Sequence, residues 1–267
     1  MIKVVILTSS SSGTAAHHLP YLLKCADCQI AMVILSKKSS NPKKSLFRML
    51  KKIARIGVAG ALNGIRMRKW YTEDVKKYAS IPDLEETCKG NKIPFYKTPA
   101  INSEETEALF RKAGADVGIS LGNGYIKSRI FSVPAYGMIN IHHEMLPAFQ
   151  NAQSIIWQLY NGSAQTGFTI HKINQHIDKG EILFQSPIPI KFKDTLADTV
   201  ANTSALLLEG SAKGLVFVLE NFEHLFKSAT KQGKGKTYTT PSFWQFRIMQ
   251  RNFKKLKKMA QRMASEV

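Results

Sequence analysis

The sequence has little cysteine, with three residues in 267. Three cysteines are too few for a disulfide scaffold. Cys25 and Cys28 form a lone C-x-x-C pair, without the second cysteine pair or the histidines that a structural zinc site needs. We therefore expect neither a disulfide-rich secreted protein nor a metal site.

Long apolar runs are also missing. The first strongly apolar run, residues 4–7, is too short for the core of a signal peptide. Residues 56–65, the longest nearly uncharged apolar stretch, contain three glycines and an asparagine and are too short to span a bilayer. These absences predict a cytoplasmic protein.

Two segments have no acidic residues. Residues 36–72 hold 11 Lys and Arg residues, and residues 227–264 hold another 11. The whole chain has 38 basic and 19 acidic residues and a net charge of +19, so 16 basic and 19 acidic residues remain outside these segments. A near-neutral body with two cationic segments excludes a uniformly basic, histone-like protein.

Both cationic segments have the spacing of amphipathic helices, which we predict over 43–70 and 243–263. With Trp70 and Trp244 beside them, these helices suit an anionic membrane surface. The alternative is that they pack on the body of the protein or against a second copy in a homodimer. The predicted apolar sides consist of Leu46, Met49, Leu50, Ile53, Ile56 and Gly57 in the first helix, and Met249, Phe253, Leu256, Ala260 and Met263 in the second.

Short apolar segments alternate with helical patterns up to about residue 140. This order predicts an α/β fold with a Rossmann-like, mostly parallel central sheet, which binds ligands at the carboxyl ends of its strands. We expect a main domain over 1–226, with 36–72 as a basic helical insertion, and a basic helical extension over 227–267. The first strand is not followed by G-x-G-x-x-G, so a nicotinamide-dependent dehydrogenase is disfavoured. The predicted strands are 4–7, 30–35, 93–96, 117–121, 138–141, 167–173 and 181–190, and the predicted helices include 15–24, 82–89, 103–113, 154–160 and 196–225.

Polar side chains gather where the fifth predicted strand ends. Strand alternation puts Asn140 and His142 on the same side of the sheet, near the edge where such sheets bind ligands. Their amide and imidazole groups could stabilise a developing oxyanion. A carboxylate could come from Asp178, in a turn between two extended segments. The alternative is that all three are ordinary capping and turn residues.

Four motifs occur in order over residues 137–185. They are N-x-H at 140–142, L-P at 146–147, G-x-T-I at 167–170 and D-x-G-x-I at 178–182. In these motifs the chain resembles the formyltransferases that use 10-formyltetrahydrofolate, which include the glycinamide ribonucleotide, methionyl-tRNA and sugar N-formyltransferases. The resemblance implies a Rossmann-like formyltransferase fold, a catalytic domain over 1–226, and formyl transfer to a primary amine without a metal.

The resemblance also implies a role for each motif residue. Asn140 would donate to the tetrahedral oxyanion, and His142 would polarise the carbonyl or help proton transfer. Asp178 would orient His142 or a water and accept the proton that the attacking nitrogen loses. The folate-binding loop of the family corresponds to Leu121, Gly122, Asn123, Gly124, Tyr125 and Ile126.

Other positions concern the acceptor substrate. The loop that contains Ser11, Ser12 and Gly13 could present amides to a substrate phosphate, with an ordinary first turn as the alternative. His143 and Glu144 stand where the family usually has Pro or Gly and then Ser, so the acceptor class is left open. By strand alternation His143 points away from His142, and it is either a structural residue or a substrate-binding one.

The acceptor is expected to be an amino sugar, phosphorylated and either nucleotide-linked or lipid-linked, as used in surface polysaccharide and lipopolysaccharide biosynthesis. About 40 residues follow the long predicted helix, too few for the β-barrel that methionyl-tRNA formyltransferases typically append. The alternatives are a methionyl-tRNA formyltransferase-like enzyme and a non-catalytic basic module on the same fold. Nucleic acid is the less favoured partner, and binding of the basic helices to lipid would put the enzyme at the inner membrane surface.

Overall fold

A seven-stranded sheet forms the centre of the molecule, with strand order β3-β2-β1-β4-β5-β6-β7. The computed structural model describes residues 1–37, 42–151 and 154–265. Neighbouring strands from β3 to β5 pair in parallel, whereas β6 is antiparallel to both β5 and β7. The predicted α/β class and mostly parallel sheet are confirmed. The strands are β1 (Ile2–Thr8), β2 (Cys28–Ser36), β3 (Phe95–Thr98), β4 (Val117–Leu121), β5 (Met138–His142), β6 (Gln165–Lys172) and β7 (Ile182–Pro189).

Helices cover both faces of the sheet. Successive residues of β1 point to opposite faces, so Val4 belongs to one buried cluster and Val5 to another. The first cluster includes residues of α1, α2, α3, α6, α7 and α9, and the second includes residues of α4 and α5. The helices are α1 (Thr14–Leu22), α2 (Pro42–Thr72), α3 (Leu84–Gly90), α4 (Glu104–Ala113), α5 (Ser128–Phe131), α6 (Ile156–Tyr160), α7 (Leu196–Glu220), α8 (Phe222–Lys227) and α9 (Phe243–Ser265).

The long helix predicted over 196–225 is broken near its end. The α7 helix ends at Glu220, and α8 begins at Phe222. Asn221 between them has a φ of −111°, and its side-chain amide donates to the Phe217 carbonyl at 2.9 Å. The Asn221 main-chain N–H donates to the same carbonyl at 3.1 Å, so both donors of Asn221 close the last turn of α7.

The α2 helix is also not continuous, unlike the single helix predicted over 43–70. Gly57 has a φ of 75° and a ψ of 164°, which breaks the helix there. Met49 and Leu50, which the spacing assigned to the apolar side, are exposed. The side chains of Leu46 and Arg48 are not among those that the structure describes.

The apolar side of α9 packs on the body in its first half, because Met249 and Phe253 are buried in the larger core cluster, whereas Met263 near its end is 68% exposed. Trp70 is only 4% exposed, and its ring centroid lies 6.5 Å from that of Phe246 in the same cluster. The expectation that Trp70 accompanies Trp244 at a membrane is therefore wrong, although Trp244 itself is 74% exposed. Among the residues described, no helix is long and apolar enough to cross a bilayer.

Candidate active site

A cavity of about 350 Å³ opens where β4 and β5 end. Its walls come from the chain after β4, from β5 and β6, and from the turn between β6 and β7. This is the carboxyl edge of the parallel strands, where the sequence predicted a ligand site. Its polar side chains include Ser120, Asn123, Asn140, His142, His171 and Asp178.

Asn140 and His142 both line the cavity, because they alternate along β5 with the buried Ile139 and Ile141. Asn140 Nδ2 lies 3.3 Å from His171 Nε2 on the neighbouring strand. His171 uses Nδ1 to donate to the Lys172 carbonyl at 2.8 Å, so Nε2 is free to accept from Asn140. Asn140 thereby retains a second N–H for a ligand.

His171 was not among the predicted site residues, although its side chain lines the cavity. Its place in an alternating apolar strand indicated a buried ring with satisfied hydrogen bonds, which is what the structure shows. Burial lowers the pKa of His171, which favours a neutral ring. His171 reaches the site through its antiparallel pairing with Asn140, and a single sequence does not show which strands pair.

His142 is held in one tautomer by the loop that follows β5. Its Nε2 lies 2.9 Å from the Phe149 carbonyl, which can only accept, so Nε2 carries the hydrogen. The other ring nitrogen, Nδ1, lies 3.8 Å from Asp178 Oδ2. Nδ1 is therefore the atom of His142 at which a proton can be gained beside a carboxylate.

Asp178 reaches the histidines from the turn between β6 and β7. It has a φ of 54°, and its carboxylate accepts from the Asn151 N–H at 3.0 Å. Two residues later, a Cβ added at Gly180 would overlap the Lys172 carbonyl oxygen, so only glycine allows the turn to fold so closely against β6. The D-x-G motif thus combines the carboxylate with the close approach that positions it.

The loop after β4 forms one wall of the cavity through Asn123, Gly124, Tyr125 and Ile126. Leu121, in contrast, is fully buried in the core, and Gly122 does not line the cavity. Asn123 fixes the loop, because its Nδ2 donates to the Leu7 carbonyl at 2.6 Å and to Ser120 Oγ at 3.1 Å.

Two residues that sequence reasoning missed belong to the turn that leads to Asp178. Asn174 and His176 line the cavity, and Tyr125 Oη donates to the Gln175 carbonyl at 3.4 Å. This bond joins the loop after β4 to the turn. A run of three polar residues directly before Ile177 and Asp178 was the available signal.

Ser11, Ser12 and Gly13 lie outside the cavity, on the loop between β1 and α1. Ser11 and Ser12 are exposed. The loop is nevertheless tied to the cavity wall, because Ser9 Oγ donates to Asn123 Oδ1 at 2.8 Å.

His143 points away from the cavity, as strand alternation predicted, and packs beneath α1 and α7. Its Nε2 and that of His18 each lie 3.0 Å from Ser211 Oγ. Because Ser211 donates its own hydrogen to the Leu208 carbonyl at 3.1 Å, both rings donate to it. Burial lowers the pKa of His143 to about 4, and its ring is held by Ser211.

The cavity is lined by three histidines and one aspartate, His142, His171, His176 and Asp178. Within the described ranges, three or more His, Cys, Asp or Glu side chains do not come together in a way that could hold a metal ion. The arrangement offers an amide donor, an imidazole and one carboxylate around a common space. These groups can stabilise negative charge on an oxygen and accept a proton.

A protein-family model described as "Formyl transferase" matches residues 3–206 of the chain. The chain belongs to this family. Among curated relatives, the methionyl-tRNA formyltransferase of Ehrlichia ruminantium (strain Gardel) is 32% identical over 148 residues, which are 55% of this chain and 47% of the relative. The GDP-perosamine N-formyltransferase of Brucella melitensis is 33% identical over 101 residues, 38% of this chain and 39% of that protein. This formyl transferase therefore spans half or less of the length of these relatives.

Solved structures share the formyl transferase fold. A sugar N-formyltransferase from Shewanella has a TM-score of 0.55 and 16% identity, over 95% of this chain and 88% of that one. The glycinamide ribonucleotide transformylase 1 of Symbiobacterium toebii has a TM-score of 0.54 and 17% identity, over 84% of this chain and 88% of the transformylase chain.

Proposed function

We propose that this formyl transferase moves a formyl group from 10-formyltetrahydrofolate to the nitrogen of a primary amine. The observation that carries the proposal is the convergence of Asn140, His142 and Asp178 on one cavity, from two separate segments of the chain, β5 and the turn between β6 and β7. Residues kept only as caps or turns would have no reason to face a common space.

The cavity fits a flat, hydrogen-bonding ring such as a pterin. Asn123 and Ser120 offer polar groups, while Ile126 and Ile173 offer apolar walls. At Gly124 an added Cβ would meet nothing within 4 Å, so the main chain there faces open space that a side chain would fill. We assign the folate to this wall, with Asn123, Gly124, Tyr125 and Ile126 beside it and the formyl group directed toward Asn140.

The chemistry of the site follows from which atoms remain available. The second N–H of Asn140 stabilises the negative charge that develops on the formyl oxygen. His142 gains a proton at Nδ1, since Nε2 is engaged with Phe149, and Asp178 stabilises the resulting cation from 3.8 Å. The amine nitrogen forms a bond to the formyl carbon, and the bond between that carbon and N10 of the folate breaks. The proton that the amine loses to His142 is then passed to the released folate nitrogen, which yields tetrahydrofolate.

We propose an amino sugar in surface polysaccharide biosynthesis as the acceptor, carried on a nucleotide or a lipid phosphate. The likeness in fold to a sugar N-formyltransferase extends over 95% of the chain and supports this choice, as does the match to a GDP-perosamine N-formyltransferase. The exposed Ser11 and Ser12 hydroxyls, on a loop bonded to Asn123 through Ser9, would meet the phosphate in this proposal.

A methionyl-tRNA acceptor is the second candidate, because the methionyl-tRNA formyltransferase of Ehrlichia chaffeensis is 38% identical over 122 residues. The exposed side of α9 also contains a groove lined by Arg247, Arg251 and Lys254, which suits phosphates.

One experiment tests the transfer and chooses between the acceptors. The protein is incubated with 10-formyltetrahydrofolate and either a panel of nucleotide-linked amino sugars or methionyl-tRNA, and release of tetrahydrofolate is measured. We expect turnover with an amino sugar, and its loss in Asn140→Ala and Asp178→Ala. Asn91→Ala, which removes an amide at the end of α3, serves as the control. The mechanism is wrong if both site variants turn over as fast as this control.

A further inference from the structure

The second half of α2 presents large apolar side chains to solvent. Val58 is 67% exposed, Leu62 is 62% exposed and Ile65 is 71% exposed. Their spacing of four and then three residues puts them in one stripe along the helix. Three aliphatic side chains at this exposure form a contiguous apolar surface, and such surfaces on a folded protein mark an interaction site.

This stripe is not a core face that has failed to pack, because the opposite side of the same helix is the packed one. Met67 is fully buried there, and Trp70 nearly so. A Cβ added at Gly60 would lie 3.4 Å from the main-chain nitrogen of Phe243, at the start of α9. The body of the protein therefore already fills one side of α2, and the stripe faces outward.

Cations border the stripe. Arg66 and Arg68 are exposed on either side of it, and Lys69 continues its line beyond Ile65. Lys51, Lys52 and Arg55 precede the break at Gly57 and are exposed as well. The segment 36–72 has no acidic residue; the first one beyond it, Glu73, lies 3.8 Å from Lys69 Nζ.

We propose that this face, made of Val58, Leu62 and Ile65 with Arg66, Arg68 and Lys69, docks on an anionic phospholipid surface. Aliphatic side chains that enter the boundary between headgroups and acyl chains, with cations level with the phosphates, are the arrangement an interfacial helix uses. The proposal goes beyond formyl transfer and does not depend on it.

Two other occupants fit the face less well. A second copy of the chain would bring the same cations together across a twofold axis, with no acid on the segment to balance them. A nucleic acid would meet aliphatic side chains at the centre of the face, where its phosphates and base edges require hydrogen-bond donors.

Vesicle flotation tests the docking. The full chain is mixed with vesicles of phosphatidylcholine alone, or of phosphatidylcholine with phosphatidylglycerol, at low and at high salt. We expect the protein to float with the anionic vesicles at low salt and to be released at high salt, since screening weakens the attraction of cations to the surface. Flotation with neutral vesicles should be weak, because the aliphatic stripe is short.

Four variants locate the bound face. Leu62→Ser should lower partitioning roughly tenfold through lost apolar burial, and Arg66→Glu should lower it roughly fivefold or more through lost charge. Leu62→Met, which keeps the apolar side chain, should bind as the unaltered protein does. Lys112→Glu reverses one positive charge, as Arg66→Glu does, but Lys112 lies on α4, which covers the other face of the sheet. This variant should also leave binding unchanged.

Each remaining outcome overturns the proposal. Absence of flotation with anionic vesicles at low salt removes the lipid surface as the occupant. Equal binding of Leu62→Ser, Arg66→Glu and the unaltered protein places any lipid contact elsewhere. A dimer in solution that Leu62→Ser converts to a monomer makes this face a contact between copies. Circular dichroism of every variant checks that the fold is retained, and formyl transfer can be measured separately.

Discussion

Phe149 and Tyr238 stack with their ring centroids 5.4 Å apart, and this contact joins the C-terminal segment to the loop that holds His142. Main-chain bonds flank the stacked pair, since Gln150 N donates to the Lys236 carbonyl and Tyr238 N donates to the Gln150 carbonyl, each at 2.9 Å. The tautomer of the proposed catalytic histidine is thus fixed by residues 236–238, which lie beyond the part of the chain that the family match covers.

Replacement of Tyr238 by Ala should slow the reaction while leaving the substrate sites largely intact. Without the ring, the Phe149 carbonyl is less firmly placed beside His142 Nε2, and a displacement of about 1 Å costs up to roughly 100-fold in rate. We expect kcat to fall and KM for the folate to change little. Tyr238→Phe keeps the stacking and loses only a 3.4 Å contact from Asn161, so it should restore kcat. A rise in KM with kcat unchanged would rule out the positioning role.

Asp178→Asn should lower kcat by about 100- to 1,000-fold, the range for loss of a general base or its charged partner. The amide oxygen can still accept from the Asn151 N–H, so the turn should keep its shape while the negative charge beside His142 is lost. Asp194→Asn changes an exposed carboxylate on the surface and is the matched control. Stopped-flow or steady-state release of tetrahydrofolate measures the effect; equal rates in the two variants would contradict it.

His143 should make the folded protein less stable in mild acid. Its pKa is lowered to about 4 by burial, with further lowering by the nearby His142 and His17, whereas the unfolded chain protonates near pH 6.5. As pH falls from about 6.5 to about 4, the unfolded state gains a proton that the folded state does not, so stability decreases by up to about 3 kcal/mol.

His143→Gln removes this titration and can still donate to Ser211. Urea unfolding at about pH 7.5 and about pH 4.5 should show a smaller loss of stability in the variant than in the unaltered protein. The buried Glu144, whose pKa is raised by burial, titrates in both proteins and cancels in the comparison. An equal loss in both would show that His143 does not carry the effect.

Gly180→Ala should displace the turn that holds Asp178. The added Cβ would overlap the Lys172 carbonyl oxygen, and relief of such a clash costs about 1–3 kcal/mol. We expect a lower melting temperature together with a lower kcat. Gly90→Ala adds the same methyl group where nothing lies within 4 Å and should change neither. Activity that stays normal in Gly180→Ala would mean that Asp178 does not need this turn.

Strand alternation in the sequence predicted the strands of the sheet and the part of the site that lies on β5. The bounds of β4 match the prediction residue for residue, and alternation placed Asn140 and His142 together and His143 apart. These inferences succeed because a period of two residues is fixed by the geometry of a strand.

Contacts between distant segments were not predictable from one sequence. Residues 228–242 have neither helical nor strand periodicity, so nothing indicated that Tyr238 crosses the loop at Phe149. The burial of Trp70 depends in the same way on Phe246, far along the chain. The exposed stripe on α2 was missed because a spacing pattern shows that a helix has two faces and does not show which one the body covers.

The crossing of residues 236–238 over the loop at Gln150 has a consequence for synthesis of the protein. A nascent chain that has left the ribosome only as far as residue 200 already contains every side chain that lines the cavity. It lacks the strand-like bridge between Gln150 and Thr237 and the ring that covers Phe149. His142 therefore acquires its final support only when residues 236–238 have emerged and folded back onto the loop.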